Sequence, residues 1–91
     1  MPRPGGTLTL MATLRLFAAA REAAGTGRAT VEAGTVGAVL YEATARYGEQ
    51  FSAICAQSRI WLNGEPADAD TPVGESDEVA VLPPVSGGAT P

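Results

Sequence analysis

Val79-Ala80-Val81-Leu82-Pro83-Pro84-Val85-Ser86-Gly87-Gly88 is the stretch on which the reading of this chain turns. Its first four residues alternate as a half-buried strand does, with Val79 and Val81 on the core face and Ala80 and Leu82 on the other. Two prolines then fix φ and hold the backbone extended as it leaves the strand. Two glycines remove every side chain from the end of the stretch. Fully extended, Pro83 to Gly88 spans about 20 Å. Such an arm fits a channel too narrow for a peptide with side chains. Ala89, Thr90 and Pro91 follow it.

Working back from this strand, the chain supplies partners for it. Leu8, Leu10, Ala12, Leu14 and Leu16 fall on one face of a period-two pattern, and Thr9, Met11, Thr13, Arg15 and Phe17 on the other. Phe17 is the aromatic exception on the face away from the leucines. Ala18 to Ala24 are strong helix formers that stop at Gly25-Thr26-Gly27. Arg28 to Ala33 alternates again, with Ala29, Val31 and Ala33 inward, as the second strand of a hairpin-like unit.

After Gly34, Thr35 is placed to cap a helix whose apolar stripe is Val36, Val39, Leu40, Ala43 and Tyr47, ending at Gly48. Glu42 and Arg46 stand four apart on its wet face, an order that favours an ion pair of a few tenths of a kcal/mol, by the ~0.3 kcal/mol typical of such pairs. Phe51, Ile54 and Cys55 recur at helical spacing in a second short turn, which makes Cys55 a small packing residue and not a nucleophile. Arg59-Ile60-Trp61-Leu62 alternates as a strand and runs into Asn63-Gly64, a strong hairpin signal. The face that takes Trp61 is open at this level: with Ile60 and Leu62 in the core, the indole lies on the far side of the sheet. Glu65 to Glu78, rich in carboxylates and interrupted by Pro66, Pro72 and Gly74, suits a solvated loop with at most a short edge strand. Asp68 and Asp70 begin like a calcium loop, but the glycine and closing glutamate that such a loop needs do not follow at the required spacing, so no metal site is read.

Composition excludes several classes of function. All six basic residues of this 91-residue chain are arginines, there is no histidine, and the net charge is −4. The usual general base, the commonest metal ligand, the Schiff-base amine and the P-loop lysine are therefore missing. Ser52, Ser58 and Ser86 have no evident activator, and self-contained catalysis is not expected. The arginines are scattered and form no basic stripe of the kind nucleic acid requires. A lone cysteine rules out an internal disulfide and fits a reducing cytoplasm. Thr9, Thr13 and Arg15 interrupt the apolar run from Leu8 to Ala20, so neither a signal peptide nor a membrane span is read there. The expected organisation is a disordered leader over 1–7, with Met11 as an alternative start, one domain over 8–83, and a flexible tail over 84–91.

The order of elements is α+β, with one main helix covering one face of a mixed sheet of four to five strands; periodicity leaves several strand orders open. The terminal pattern Asp77-Glu78-Val79 to Pro83-Pro84-Val85-Ser86-Gly87-Gly88, the segment Leu16-Phe17-Ala18-Ala19-Ala20-Arg21-Glu22-Ala23-Ala24-Gly25 and the Asn63-Gly64 turn resemble the MoaD/ThiS family of ubiquitin-like sulfur carriers, most of all the molybdopterin synthase small subunit. The resemblance implies a β-grasp (ubiquitin-like) fold with the first and last strands as parallel central neighbours. It also implies a protein that is a co-substrate and not an enzyme. An E1-like adenylyltransferase of the MoeB/ThiF type uses ATP to adenylate Gly88, sulfur from a persulfide displaces AMP, and a sulfur-accepting synthase consumes the thiocarboxylate. No cofactor is bound by the carrier itself.

Two departures from the family pattern stand out. Glu75-Ser76 precedes Asp77-Glu78 where many relatives have a glycine. Ala89-Thr90-Pro91 seals the Gly88 carbonyl in a peptide bond, so the resemblance implies a JAMM-type metallopeptidase that cuts between Gly88 and Ala89. Phe17, Leu82 and Trp61 are the candidate partner-binding residues, and Pro83, Pro84, Val85, Ser86 and Gly87 the arm that carries Gly88. The competing readings are a ubiquitin-like modifier, joined through the same glycine to a target lysine, and a β-grasp interaction domain without carrier chemistry.

Overall fold

Residues 11–84 are described by the structure, a computed structural model. Five strands, β1 (Met11–Leu16), β2 (Arg28–Glu32), β3 (Arg59–Leu62), β4 (Glu65–Pro66) and β5 (Glu78–Leu82), form one mixed sheet in the order β2-β1-β5-β3-β4. Three helices, α1 (Ala18–Ala24), α2 (Val36–Tyr47) and α3 (Glu49–Ala56), complete the chain order. The parallel pair β1 and β5 lies at the centre, with Leu14 opposite Val79 and Leu16 opposite Val81, and the other pairings are antiparallel. This is the β-grasp arrangement. Leu8, Leu10, the leader over 1–7 and the tail from Val85 onward lie outside the described residues.

Alternation in the strands becomes burial in the fold. Ala12, Leu14, Leu16, Val31, Val79 and Val81 are all buried and face the helices, where Ala20, Val36, Val39, Ala43 and Phe51 meet them. The central strands thus bury one face, and the other, which carries Met11, Thr13, Arg15, Glu78, Ala80 and Leu82, stays partly exposed. Ile60 and Leu62 pack against the same core, which sends Trp61 to the opposite face.

The helical layer differs from the expected single main helix. Gly48, at φ +100°, breaks what would otherwise be one long helix and starts a new one, α3, rather than a short turn. The reason is Phe51, which is fully buried and meets the Tyr47 ring edge-on at 5.2 Å between centroids. Burying such a side chain stabilises the fold by about 1.5–3 kcal/mol, enough to redirect the chain at the glycine. The expected Glu42–Arg46 pair is not formed. Arg46 instead donates through Nη1 to the Thr30 carbonyl at 3.2 Å and lies 5.9 Å from the Tyr47 ring centre. A weak exposed pair loses readily to a backbone acceptor and an aromatic face within reach.

The first turn of α2 has a complete hydrogen-bond account. Its free N–H groups are the ones a helix leaves unsatisfied. Val36 N–H donates to the Thr71 carbonyl at 2.9 Å and Gly37 N–H to the Ala69 carbonyl at 2.8 Å. Ala38 N–H donates to the Thr35 hydroxyl oxygen at 3.1 Å and Val39 N–H to the Thr35 carbonyl. The approach at Gly37 is so close that a β-carbon there would stand 3.1 Å from the Ala69 carbonyl oxygen. The acidic loop therefore caps the main helix. A bridge between Thr35 and Pro72 holds it there.

Candidate functional site

Parity along β1 and β5 builds the face opposite the helices. Thr13 stands beside Glu78, Arg15 beside Ala80, Ala80 beside Trp61, Trp61 beside Pro66, and Leu82 beside Arg59. One residue beyond the Leu16–Val81 pair stand Leu82, the last residue of β5, and Phe17, the extended residue between β1 and α1. These take neighbouring places on this face, as period-two reading expects. Phe17 is 38 % exposed and Leu82 half-buried, so neither is a core residue. Trp61 is half-buried on the same face, one register step from the Leu82 row.

Arg15 ties this face together, a role the sequence reading did not give it. Its Nη1 pairs with Glu78 Oε2 at 3.1 Å, with the two side chains 39 % and 42 % exposed, and its guanidinium carbon lies 5.6 Å from the Phe17 ring centre. Screening keeps the ion pair to about 0–1 kcal/mol, and a cation over an aromatic face adds a similar amount. Their consequence is position: they favour the Phe17 ring beside the Arg15 guanidinium at the strand end. Parity already put Arg15, Phe17 and Glu78 on one face. What it lacked was the parallel register that brings residues 15 and 78 together.

The arm leaves from this same end. After Leu82, Pro83 is half-buried and Pro84 exposed. Gly88, Gly87, Ser86, Val85 and the Gly88–Ala89 bond lie outside the described residues. Two shallow grooves flank the fold. One, of about 310 Å³, is lined by Arg15, Leu16, Phe17, Arg21, Thr26, Gly27 and Arg28. The other, of about 320 Å³, lies between α2 and α3 along Tyr41, Thr44, Ala45, Gly48, Glu49 and Ser52.

Chemically reactive groups are sparse. Burial pushes the Cys55 thiol up to about 11, so it stays protonated at neutral pH and packs beside the core. Among the described residues no cluster of three His, Cys, Asp or Glu side chains could hold a metal ion. Asp68 and Thr71 close a local turn: Asp68 N–H donates to the Thr71 hydroxyl oxygen, and Thr71 N–H to the Asp68 carbonyl. Among the described residues no helix is long and apolar enough to cross a membrane.

The family model described as "ThiS family" matches residues 14–88, which takes in both central strands and the diglycine. The chain belongs to the ThiS family. Its members are ubiquitin-like sulfur carriers, and the fold of this chain agrees with theirs.

Among solved structures, small archaeal modifier protein 1 from Methanosarcina acetivorans is 31% identical, with a TM-score of 0.77, over 88% of this chain and 98% of that one. A candidate molybdopterin converting factor, subunit 1, from Pyrococcus furiosus is 25% identical, with a TM-score of 0.75, over 85% of this chain and 100% of that one. Subunit 1 or 2 of the molybdopterin-converting factor from Helicobacter pylori, solved as a complex of the two, shares the fold at 24% identity and a TM-score of 0.63, over 87% of this chain and 100% of that one. No curated protein matches the chain significantly.

Proposed function

We propose that this ThiS-family chain works as a sulfur carrier whose reacting group is the carboxylate of Gly88. The observation that carries the reading is that the family match runs through Gly88, the end of an arm that leaves directly from the central strand β5. A carboxylate at neutral pH is a poor electrophile, so the cycle begins when an E1-like enzyme of the MoeB/ThiF type converts Gly88 to an acyl-adenylate with ATP. Persulfide sulfur then displaces AMP to give an acyl disulfide, a thiol cleaves its S–S bond and leaves as the new disulfide, and the thiocarboxylate so released is delivered to a synthase. Molybdopterin formation is our first assignment for that synthase, supported by the relatives described as molybdopterin converting factor subunits. The carrier needs no acid, base or nucleophile of its own for these steps, in keeping with a chain without histidine or lysine.

In the chain with Ala89, Gly88 has no free carboxylate. The proposal therefore includes hydrolysis of the Gly88–Ala89 bond by a JAMM-type metallopeptidase before the first adenylation, in the cytoplasm. A second reading is favoured by the 31% identity to a small archaeal modifier protein: the activated glycine is transferred to a lysine of a target protein.

The test uses chains ending at residue 88 together with the E1-like enzyme of the same genome. The wild-type chain should support ATP–pyrophosphate exchange and gain the mass of one oxygen-to-sulfur replacement when a persulfide donor and a thiol reductant are supplied. Gly88→Ala should fold normally yet exchange poorly, because a methyl group must pass where only hydrogen did. Exchange by Gly88→Ala at the wild-type rate would overturn the reading. Amide-linked conjugates without any thiocarboxylate would favour the modifier.

A further inference from the structure

Three of the chain's six positive charges, Arg15, Arg21 and Arg28, line one groove beside Phe17, in a protein whose net charge is −4. Their placement is unfavourable for the isolated fold. Arg15 and Arg28 stand directly opposite one another across β1 and β2, an arrangement of like charges that destabilises a sheet. Arg15 has Glu78 for relief; among the described residues neither Arg21 nor Arg28 takes part in an ion pair, and both are exposed.

The groove is nevertheless well defined. Thr26 Oγ1 donates to the Arg28 carbonyl at 3.0 Å and accepts from Arg28 N–H at 3.3 Å, while Leu16 N–H donates to the Gly27 carbonyl at 3.0 Å. Arg21 lies across Gly27 so closely that a β-carbon there would stand 3.4 Å from Arg21 Nε.

From this juxtaposition we infer that the arginine groove is the docking site for a carboxylate-bearing surface of the E1-like activating enzyme, an inference that rests on the carrier reading above. Carboxylates suit the groove better than a phosphate does. The Arg28 N–H is already bonded to Thr26 Oγ1, so what that position offers a partner is its guanidinium group and not its backbone. Separate exposed guanidinium groups match carboxylates spaced along a protein surface. The groove also runs into Phe17, so the same partner covers the apolar strand end and the arginines together. A carrier must bind its activating enzyme and then leave it, and rim charges serve this by speeding encounter without fixing the complex.

The experiment measures the carrier's KM and kcat in ATP–pyrophosphate exchange, from low to high salt, using chains ending at Gly88. For the double variant Arg21→Glu/Arg28→Glu, KM should rise about tenfold with kcat nearly unchanged, and the salt dependence of KM seen with wild type should flatten. The double variant Arg21→Lys/Arg28→Lys, which keeps the charge, should stay within about threefold of wild type. Thermal melts confirm that all variants are folded. Exchange by wild type together with an unchanged KM in the charge-reversed variant overturns the groove assignment alone. Failure of the wild-type chain to support any exchange overturns the carrier reading and the groove with it. Saturable binding of ATP at the arginines of the isolated carrier, seen as chemical-shift changes in their side chains, would replace the carboxylate partner by a phosphate ligand and overturn the inference.

Discussion

Asp77 shows how one side chain can organise a strand end. Its Oδ1 accepts from Asn63 Nδ2 at 3.0 Å and its Oδ2 from Gly74 N–H at 2.8 Å. Asn63 in turn accepts from Glu78 N–H through Oδ1 at 2.9 Å and donates its own N–H to the Glu78 carbonyl at 2.9 Å. The hydrogen bond from Asn63, and after it the one from Gly74, hold the Asp77 carboxyl below its ordinary 3.8. A carboxyl whose folded pKa is depressed stabilises the fold fully above its unfolded pKa and loses that contribution as pH falls through the lower folded value. The contribution of Asp77 is therefore present at neutral pH and is lost in acid, below 3.8. Asn63→Gly keeps the left-handed backbone that this position adopts, at φ +52°, and removes the side-chain bond to Asp77. In that variant the Asp77 pKa, read by NMR titration, should move up toward 3.8; a wild-type Asp77 that already titrates at 3.8 would contradict the account.

Among the elements, α2 depends most on its surroundings. Thr35 supplies a hydroxyl for Ala38 N–H, while the loop carbonyls of Ala69 and Thr71 serve the two N–H groups before it. Thr35→Ala should therefore cost about 1 kcal/mol, the usual worth of such a cap. For a domain of this size that is a fall in Tm of about 4–8 °C. Thr35→Ser, which keeps the oxygen, should stay within a few tenths of a kcal/mol, by ~0.3. Equal melting temperatures for Thr35→Ala and wild type would mean that the loop alone secures the helix start.

Taken as a whole, the molecule places its core on one face of its sheet, and the proposed function places recognition on the other. Everything fully buried faces the helices, and Phe17, Leu82 and Trp61 lie on the other side, beside the departing arm. Truncating Phe17 or Leu82 to alanine should therefore weaken binding to the activating enzyme by about 1–2 kcal/mol, as central interface residues do. The loss of fold stability should be smaller, since neither side chain fills the core. Titration calorimetry against the enzyme and thermal melts of the same variants check this. A melting temperature that falls while affinity holds would move both residues from recognition to packing.

Much of this was legible before any coordinates. Period-two alternation identified the buried faces of β1, β2 and β5, because a strand with one dry face must alternate. Thr35, Gly25 and Gly48 marked helix ends through chemistry local to a few residues, and Asn63-Gly64 marked a hairpin because its turn needs the positive φ that both residues show. Strand order was not local. The parallel pairing of β1 with β5 joins residues more than sixty positions apart, and only the resemblance to a known family anticipated it. The same distance hid the Arg15–Glu78 pair, the cap that the acidic loop places on α2, and the meeting of Arg15, Arg21 and Arg28 around one groove. Sequence thus determined which residues are dry and where helices begin and end, since these follow from backbone preference and periodicity. Tertiary structure decided which charges meet, which carbonyls cap a helix and which face of Trp61 stays wet, because those depend on register between segments that have no memory of one another along the chain.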